Sequence, residues 1–177
     1  RVQKKELRRT MRTIPVQPLS PERFQKYGVY HNMLSPNGES LGAAPAEFFR
    51  DLVQLRLGGS NVLSVSVLEL TKRPLLVDAM EYHNDCCEGM MPMDADVIVQ
   101  LAPPVKGDVI PLEKVEAFFV PKGTLIVLNP GVWHESPYVT GRENGHIFCM
   151  LPERTYMKDA FLIPIPANQR ITIQTAQ

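Results

Sequence analysis

Short runs of β-branched and aromatic residues fill the chain from residue 62 onward, and prolines and glycines separate them. A parallel α/β sheet needs helical crossovers between its strands, and these runs leave no room for them. The pattern therefore predicts an antiparallel sandwich or barrel of about eight strands. The predicted strands are 62–70, 75–83, 96–101, 115–120, 124–128, 132–138, 146–151 and 161–165.

The first third of the chain carries two helix signals. Ser20 is a capping residue, and it is followed by Pro21 and Glu22, which suit the first helical turn. We predict a short helix from there to Gly28, where the pattern stops. A second helix is predicted over 45–57, because apolar residues recur there at four-residue spacing.

The composition is that of an ordinary globular protein. The chain has 177 residues, of which 44% are hydrophobic and 21% charged, and these values exclude a disordered chain. No apolar run approaches the ~20 residues that cross a bilayer, so we expect no membrane segment. The start shows no apolar block of the signal-peptide kind, and we expect a cytoplasmic protein. Three cysteines without paired spacing predict no disulfide framework.

The charges divide the chain into two parts. Residues 1–12 hold six basic residues and one acidic residue, whereas the rest holds 13 basic and 18 acidic residues. We therefore predict a basic arm at 1–14 and one domain at 15–177. Such an arm is typical of a solvated terminal helix or a targeting remnant, and contact with nucleic acid or an anionic surface is the alternative. The acidic body argues against a nucleic-acid groove, so we expect no nucleic-acid partner.

Four polar residues stand out by their spacing. Glu81 and His83 share one face of a predicted strand, because alternate side chains of a strand point the same way. A turn after them brings Glu88 back beside the pair. His134 opens a later strand, three residues after Gly131. Taken singly, these residues suit a surface ion pair or a core histidine, but together they favour a polar cavity inside the β-structure.

These two segments resemble the two motifs of the cupins. The first motif reads His-x-His, then Glu after three or four residues, and the second reads Gly-x5-Pro-x-Gly-x2-His. Here Glu81 stands at the first His position and Asn129 at the Pro position. The resemblance implies a mainly β, double-stranded β-helix (jelly-roll) fold with one or two short helices near the N-terminus. It also implies a divalent metal (Ni, Zn, Mn or Fe) held by Glu81, His83, Glu88 and His134.

Within the cupins, the chain resembles the ureidoglycolate lyase family, also called ureidoglycolate hydrolase, over about 16–165. Three stretches carry this resemblance, at 16–28, 81–92 and 132–137. The chain departs from the family at three positions: Glu88 stands where the family has Gln, Glu135 where it has a second His, and Tyr82 where it has Arg. An uncharacterised group of cupins shares the Glu-Tyr-His sequence at the first motif.

The family resemblance implies cleavage of ureidoglycolate to glyoxylate and urea, a step of purine and allantoin catabolism. A base removes the hydroxyl proton, the C–N bond breaks, and an acid protonates the departing urea nitrogen. A metal would polarise the hydroxyl; without one, Glu88 or His134 is the expected base. The anionic substrate needs a cation, for which Arg142 and Lys122 are our candidates, with Lys72 as a third.

The sequence also allows two other functional hypotheses. One is a metal-dependent cupin isomerase, epimerase or oxygenase that acts on a small sugar or oxoacid, and the other is a cupin that binds a small ligand without catalysis. Cupins commonly pair through their sheets, so we also expect a homodimer, with 161–165 and 171–173 available to add strands to a neighbour.

Overall fold

The computed structural model describes residues 11–175, which form β-strands with two short α-helices, α1 (Pro21–Phe24) and α2 (Thr155–Lys158). The strands are β1 (Arg12–Pro18), β2 (Gly28–Asn32), β3 (Ser40–Ala43), β4 (Ala46–Phe49), β5 (Leu63–Thr71), β6 (Leu76–Val77), β7 (Ala79–Met80), β8 (Glu88–Pro92), β9 (Val97–Leu101), β10 (Glu116–Val120), β11 (Thr124–Leu128), β12 (Tyr138–Val139), β13 (Asn144–Pro152), β14 (Ile163–Pro164) and β15 (Ile171–Gln174).

Two larger sheets build the domain. The first has the order β12-β9-β10-β1-β15-β6, and the second has the order β2-β11-β8-β13-β5. Two small hairpin-like pairs, β14-β7 and β3-β4, lie outside them. Neighbouring strands are often far apart in sequence, as in a jelly roll, and most pairs are antiparallel. The fold is the double-stranded β-helix that the cupin resemblance implies.

The core of the barrel lies between the two sheets. Val97 and Val99 from the first sheet meet Met90, Ile126 and Leu128 from the second. The opposite face of the first sheet carries another apolar cluster around Trp133 and Ile171, which the C-terminal part of the chain covers. Alternation along each strand thus fills both faces.

The strand predictions succeed best where β-branched residues are dense. Those at 62–70, 96–101, 115–120, 124–128 and 146–151 are confirmed by β5, β9, β10, β11 and β13. The predictions at 75–83, 132–138 and 161–165 are confirmed only in part, because the strands that fall in or overlap those segments are each only two residues long. The strands β1 to β4 and β8 were not predicted.

The first helix prediction is confirmed, although α1 ends at Phe24, before the predicted stop. The Ser20 hydroxyl accepts the amide hydrogen of Arg23 at 3.4 Å, as expected of a cap. The prediction of a helix over 45–57 is wrong. Residues Ala46–Phe49 pair with β3, and Val53 and Leu55 then pack onto the outer face of the second sheet. The four-residue apolar repeat does not mark one buried face, because Phe48 is 64% exposed.

The predicted basic arm falls mostly outside the described residues, since only 11–14 of it belong to them. Its final part is already in the sheet, because Arg12 begins β1 and pairs with Ile171. Cys86, Cys87 and Cys149 are buried free thiols. Within residues 11–175, neither helix has the length and apolar character needed to span a bilayer.

Candidate functional site

Two distant parts of the chain meet at one end of the barrel. Glu81 follows β7, His134 follows the turn after β11, and the two residues form an isolated antiparallel bridge. The Glu81 amide donates to the His134 carbonyl at 2.6 Å, and the His134 amide donates to the Glu81 carbonyl at 2.8 Å. Because both bonds join the same two residues, the backbone fixes the separation of their side chains.

The turn that precedes His134 also holds His83. The Gly131 amide donates to the His83 carbonyl at 2.6 Å. Gly131 has a φ of 78°, a value that other residues adopt only with strain. A Cβ atom there would also lie 3.0 Å from Cβ of Pro104. The second glycine of the motif is therefore required for the turn that brings the two histidine-bearing segments together.

Glu88 reaches the same place from the second sheet. It is the first residue of β8, and it lies directly opposite Leu128 of β11 in the register. Leu128 and Met90, two positions after Glu88, both belong to the barrel core. Because alternate and directly opposed residues share a face of the sheet, the Glu88 side chain also points into the barrel.

The four predicted residues Glu81, His83, Glu88 and His134 form one cluster. Oε2 of Glu88 lies 3.2 Å from Nε2 of His83 and 2.7 Å from Nε2 of His134. The centroids of the two imidazole rings are 5.1 Å apart. His83, Glu88 and His134 are buried, whereas Glu81 is partly exposed. The cluster is therefore open on the side of Glu81.

The backbone fixes which nitrogen of each histidine faces the cluster. Nδ1 of His83 lies 2.5 Å from the Asp159 carbonyl, and Nδ1 of His134 lies 2.9 Å from the Val132 carbonyl. A carbonyl oxygen only accepts, so each Nδ1 must carry the hydrogen. In the neutral ring, Nε2 then presents its lone pair, and both lone pairs point toward the carboxylates.

The electrostatics of the cluster follow from burial and close charges. Burial alone would raise the pKa of Glu88, but the two histidines outweigh it and lower that pKa well below its usual value. Burial lowers the pKa of His134, but the charges of Glu88 and Glu81 prevail and raise it to about 9. For Glu81, burial is the largest effect and raises its pKa. The pKa values of Glu88 and Glu81 are thus shifted in opposite directions.

The donor set fits a divalent metal ion. One ligand atom each from Glu81, His83 and His134 lies within 4.8 Å of the other two. Although His134 Nε2 is close to Glu88, the contact is not aligned as a hydrogen bond, and this buried nitrogen has no hydrogen-bond partner among the described residues. A lone pair without a partner, a second imidazole and two carboxylates suit Zn, Ni, Mn or Fe.

The cations predicted to bind substrate lie elsewhere. The Lys122 amide donates to Asp96, and the next residue, Gly123, bonds to Pro92 at the far end of β8. The Arg142 side chain donates to the Asp94 carbonyl, just beyond the same end. Glu88 begins β8 and Pro92 ends it, which is a separation of about 13 Å along the strand. The structure does not bring Arg142 or Lys122 to the cluster.

Lys72, the third cation considered, is exposed and pairs with Glu143 at 3.3 Å. Arg56, by contrast, lies at the same end of the barrel as the cluster and was not identified from the sequence. Its carbonyl accepts the amide of Cys87, next to Glu88, and its guanidinium donates to the Asn129 side chain at 3.1 Å. No motif in the sequence marks this arginine, and its segment was predicted to be a helix.

Asp159 is the second residue that the sequence analysis missed. It is buried, and its carbonyl holds the ring of His83 as described above. It lies far along the chain from both motifs, and no spacing rule connects it to them. Only the local turn residues around it could have been noticed, and they do not indicate a site.

A family model described as ureidoglycolate lyase matches residues 11–160. No curated protein sequence matches the chain significantly. Among solved structures, a dTDP sugar isomerase from Desulfovibrio desulfuricans G20 is similar, with 16% identity, a TM-score of 0.48, and coverage of 73% of this chain and 82% of that one. Oxalate decarboxylase from Bacillus subtilis, an enzyme with Mn(II) centres, has 8% identity and a TM-score of 0.40, covering 58% of this chain and 24% of that one.

RmlC from Streptococcus suis, solved with dTDP-D-xylose, has 12% identity and a TM-score of 0.38, and the match covers 54% of this chain and 46% of that one. The chain therefore spans less than half the length of RmlC and of the oxalate decarboxylase that it matches.

Proposed function

The chain belongs to the ureidoglycolate lyase family, and we propose that it cleaves ureidoglycolate to glyoxylate and urea. The observation that supports this proposal most is the convergence of Glu81, His83, Glu88 and His134 in one largely buried cluster at the end of the barrel. Cleavage of a hemiaminal needs proton removal from the oxygen and proton delivery to the nitrogen that are bonded to the same carbon, and this cluster has groups for both.

Glu81, His83 and His134, with Glu88 beside them, would hold a divalent metal through carboxylate oxygens and imidazole Nε2 atoms. When bound, the metal would supply Lewis-acid polarisation of the substrate hydroxyl and lower its pKa. The two carboxylates would balance its charge. The carbonyl oxygens of Asp159 and Val132 keep both imidazoles in the orientation that this binding needs.

In metal-free protein, the same residues can hold and move protons; with a metal on Nε2, His134 would have no proton to give there. In the ion pair of Glu88 and His134, Oε2 is negative and Nε2 carries a proton across a distance of 2.7 Å. Glu88 would accept the proton of the substrate hydroxyl as the C–N bond breaks, and His134 would donate its proton to the departing urea nitrogen. One proton is taken and one is given, so transfer between the two residues restores the starting state.

The substrate is a carboxylate, and Arg56 is better placed for it than Arg142 or Lys122. Its guanidinium lies at the cluster end of the barrel and has donors beyond the one bound to Asn129. Arginine binds carboxylates through paired, charge-assisted hydrogen bonds. We therefore assign the recognition of the anionic substrate to Arg56.

The homodimer expected from the sequence stays a prediction, with a changed contact surface. The segment around β15 has no free edge, because β15 lies between β1 and β6. β5 is an edge strand of the second sheet, and Leu63, Val65 and Val67 on it are exposed. A second copy at this strand would bury them, and a light-scattering mass equal to one chain would contradict the dimer.

The test of the proposed function is release of urea from ureidoglycolate by purified, metal-supplemented protein, measured against an enzyme-free blank. We expect His134→Ala to lower the rate about 100-fold or more, because it removes a metal ligand or, in metal-free protein, the proton donor. His146→Ala is the matched control, since His146 is bound to Asp94 beyond the far end of β8. If the wild-type protein releases no urea above the blank at millimolar substrate, the assignment of this reaction is wrong.

A further inference from the structure

One buried carboxylate next to the cluster is bonded to the segment that joins His83 and Glu88. Asp159 is 8% exposed and follows α2 directly. Its Oδ1 accepts the amide hydrogen of Asn84 at 2.8 Å, and its Oδ2 accepts that of Asp85 at 2.8 Å. Each carboxylate oxygen therefore holds one residue of the turn that leads from His83 toward β8.

The backbone of Asp159 makes a third bond to the same region. Its carbonyl oxygen lies 2.5 Å from Nδ1 of His83. A single residue thus contacts the ring of His83 and the two residues that follow it. The bond to the ring selects the tautomer in which Nε2 carries no hydrogen. The two bonds to the amides fix the backbone conformation directly after His83.

The segment after Asp159 runs antiparallel to the segment before His83. The Ile165 amide donates to the Asp78 carbonyl at 2.7 Å, and β14 pairs with β7. Further along, the Phe161 amide donates to the Tyr82 carbonyl at 3.2 Å, and their rings stack with centroids 5.0 Å apart. Asp159 is the last contact of this run, at the point where it reaches the cluster.

We infer that Asp159 is a positioning residue for the site: it fixes the tautomer of His83 and the turn that sets His83 against Glu88. The inference rests on the proposed function for the use of that geometry, namely metal binding and proton transfer. Asp159 does not touch the cluster through its carboxylate, so it acts through His83. Groups that orient a metal-binding imidazole in this way commonly contribute to affinity.

A purely structural role would be to attach the C-terminal segment to the barrel. Loss of that attachment would lower the free energy of unfolding without a selective effect on His83. The two roles differ in what they predict for the folded protein. Only positioning predicts a change in the His83 tautomer and in metal affinity in a variant that remains folded.

The experiment compares Asp159→Asn and Asp159→Ala with the wild-type protein. Asp94→Asn is the matched control, because Asp94 also accepts a backbone amide, that of His146, beyond the far end of β8. Three quantities are measured: the dissociation constant for Co²⁺ from its visible absorption, the ¹⁵N chemical shifts of the His83 ring in metal-free protein, and the thermal midpoint. We expect Asp159→Ala to weaken Co²⁺ binding about 10- to 100-fold.

Asp159→Asn should show a smaller loss, because its amide oxygen can accept one of the two backbone bonds. Asp94→Asn should bind Co²⁺ as the wild type does. Asp159→Ala keeps the carbonyl that bonds to Nδ1 of His83 but loses the two carboxylate bonds that hold this residue against Asn84 and Asp85. The carbonyl can then move away from the ring, and the His83 shifts should move from those of a ring protonated at Nδ1 toward a mixture of tautomers. Unchanged Co²⁺ affinity and unchanged His83 shifts in both folded variants would overturn the inference, and so would loss of the fold in both.

Failure of the proposed function would look different. If the wild-type protein does not bind Co²⁺, the metal-binding part of that function fails, and the ¹⁵N shifts of metal-free protein alone decide the role of Asp159. If Co²⁺ binds but no urea is released, the proposed reaction is wrong. The Co²⁺ affinities of the Asp159 variants then still decide whether Asp159 positions His83.

Discussion

Nε2 of His134 lies 2.7 Å from Oε2 of Glu88, and both side chains are buried. Such a contact is favourable only when a proton or a cation is shared between nitrogen and carboxylate. In metal-free protein the charge of Glu88 is a main reason why the pKa of His134 is raised from 6.5 to about 9. Glu88→Gln removes that charge with little change in shape.

We therefore expect the pKa of His134 to fall in Glu88→Gln. The measurement is an NMR titration of the His134 ring in metal-free wild-type and variant protein. Glu153→Gln, a neutralised carboxylate outside the cluster, is the control and should leave the titration as it is. An equal His134 pKa in the wild type and in Glu88→Gln would mean that Glu88 does not carry the charge assigned to it.

Divalent metal should stabilise the folded protein, because the cluster of ligands exists only in the folded chain. A metal present at about 100 times its dissociation constant adds about 2.7 kcal/mol to the free energy of unfolding. We expect the thermal midpoint to rise with Zn²⁺ or Ni²⁺ and to fall back with a chelator. This rise should vanish in His83→Ala and persist in His146→Ala, and equal rises in both variants would place the metal elsewhere.

The sequence indicated the four residues of the candidate site because two of the constraints on their positions are local. Glu81 and His83 are two positions apart on one strand, and Gly131 and His134 are fixed by a turn that only glycine tolerates well. Both constraints leave a trace in spacing. The departures from the cupin motifs at Glu81 and Asn129 did not hide this spacing. Glu81 still offers a metal ligand, and Asn129 still suits a turn.

The parts that were missed depend on contacts between distant residues. β8 carries a glycine, two methionines and a proline, and it is a strand because β11 and β13 lie on either side of it. The segment 45–57 has apolar residues at helical spacing, but the surface available for burial is the outer face of a sheet. The same holds for Arg56 and Asp159, because the roles we propose for them depend on tertiary contacts alone.

Arg56→Gln should weaken substrate binding more than it slows the chemical step. Loss of a charged hydrogen-bonding pair to a carboxylate costs about 1.5–3 kcal/mol, which corresponds to a decrease of about 10- to 100-fold in kcat/KM. We expect this decrease to appear mainly in KM. Arg142→Gln is the control and should have near-wild-type kinetics. A larger effect in Arg142→Gln than in Arg56→Gln would mean that Arg142, as first predicted from the sequence, binds the substrate carboxylate.

Gly131→Ala should destabilise the fold more than Gly141→Ala. Both glycines have a left-handed φ, 78° and 69°, so an alanine costs about 1–2 kcal/mol at either position. A Cβ at position 131 also meets Pro104, whereas one at position 141 has open space around it. Urea denaturation of both variants measures the difference in their free energies of unfolding. Equal destabilisation would show that the contact with Pro104 relaxes without an energetic penalty.

Acid should destabilise the protein through Glu116, which lies outside the candidate site. Tyr27 and Lys26 contact Oε2 of this carboxylate, and Gln17 donates to its Oε1 at 3.2 Å. Burial raises the pKa of Glu116, but the hydrogen bonds from Lys26, Tyr27 and Gln17 outweigh it and lower that pKa below 4.5.

A carboxyl whose pKa is lower in the folded state than in the unfolded state stabilises the fold once it is ionised in both. The contribution of Glu116 is therefore complete above a pH of about 4.5 and is lost as the pH falls through the lower, folded-state pKa. We expect Glu116→Gln to have a lower free energy of unfolding than the wild type at neutral pH. This difference in stability should narrow as the pH falls below about 4.5. Urea denaturation of both proteins from neutral pH to pH ~3 measures the difference, and a difference that is constant over this range would show that the Glu116 charge contributes nothing to folding.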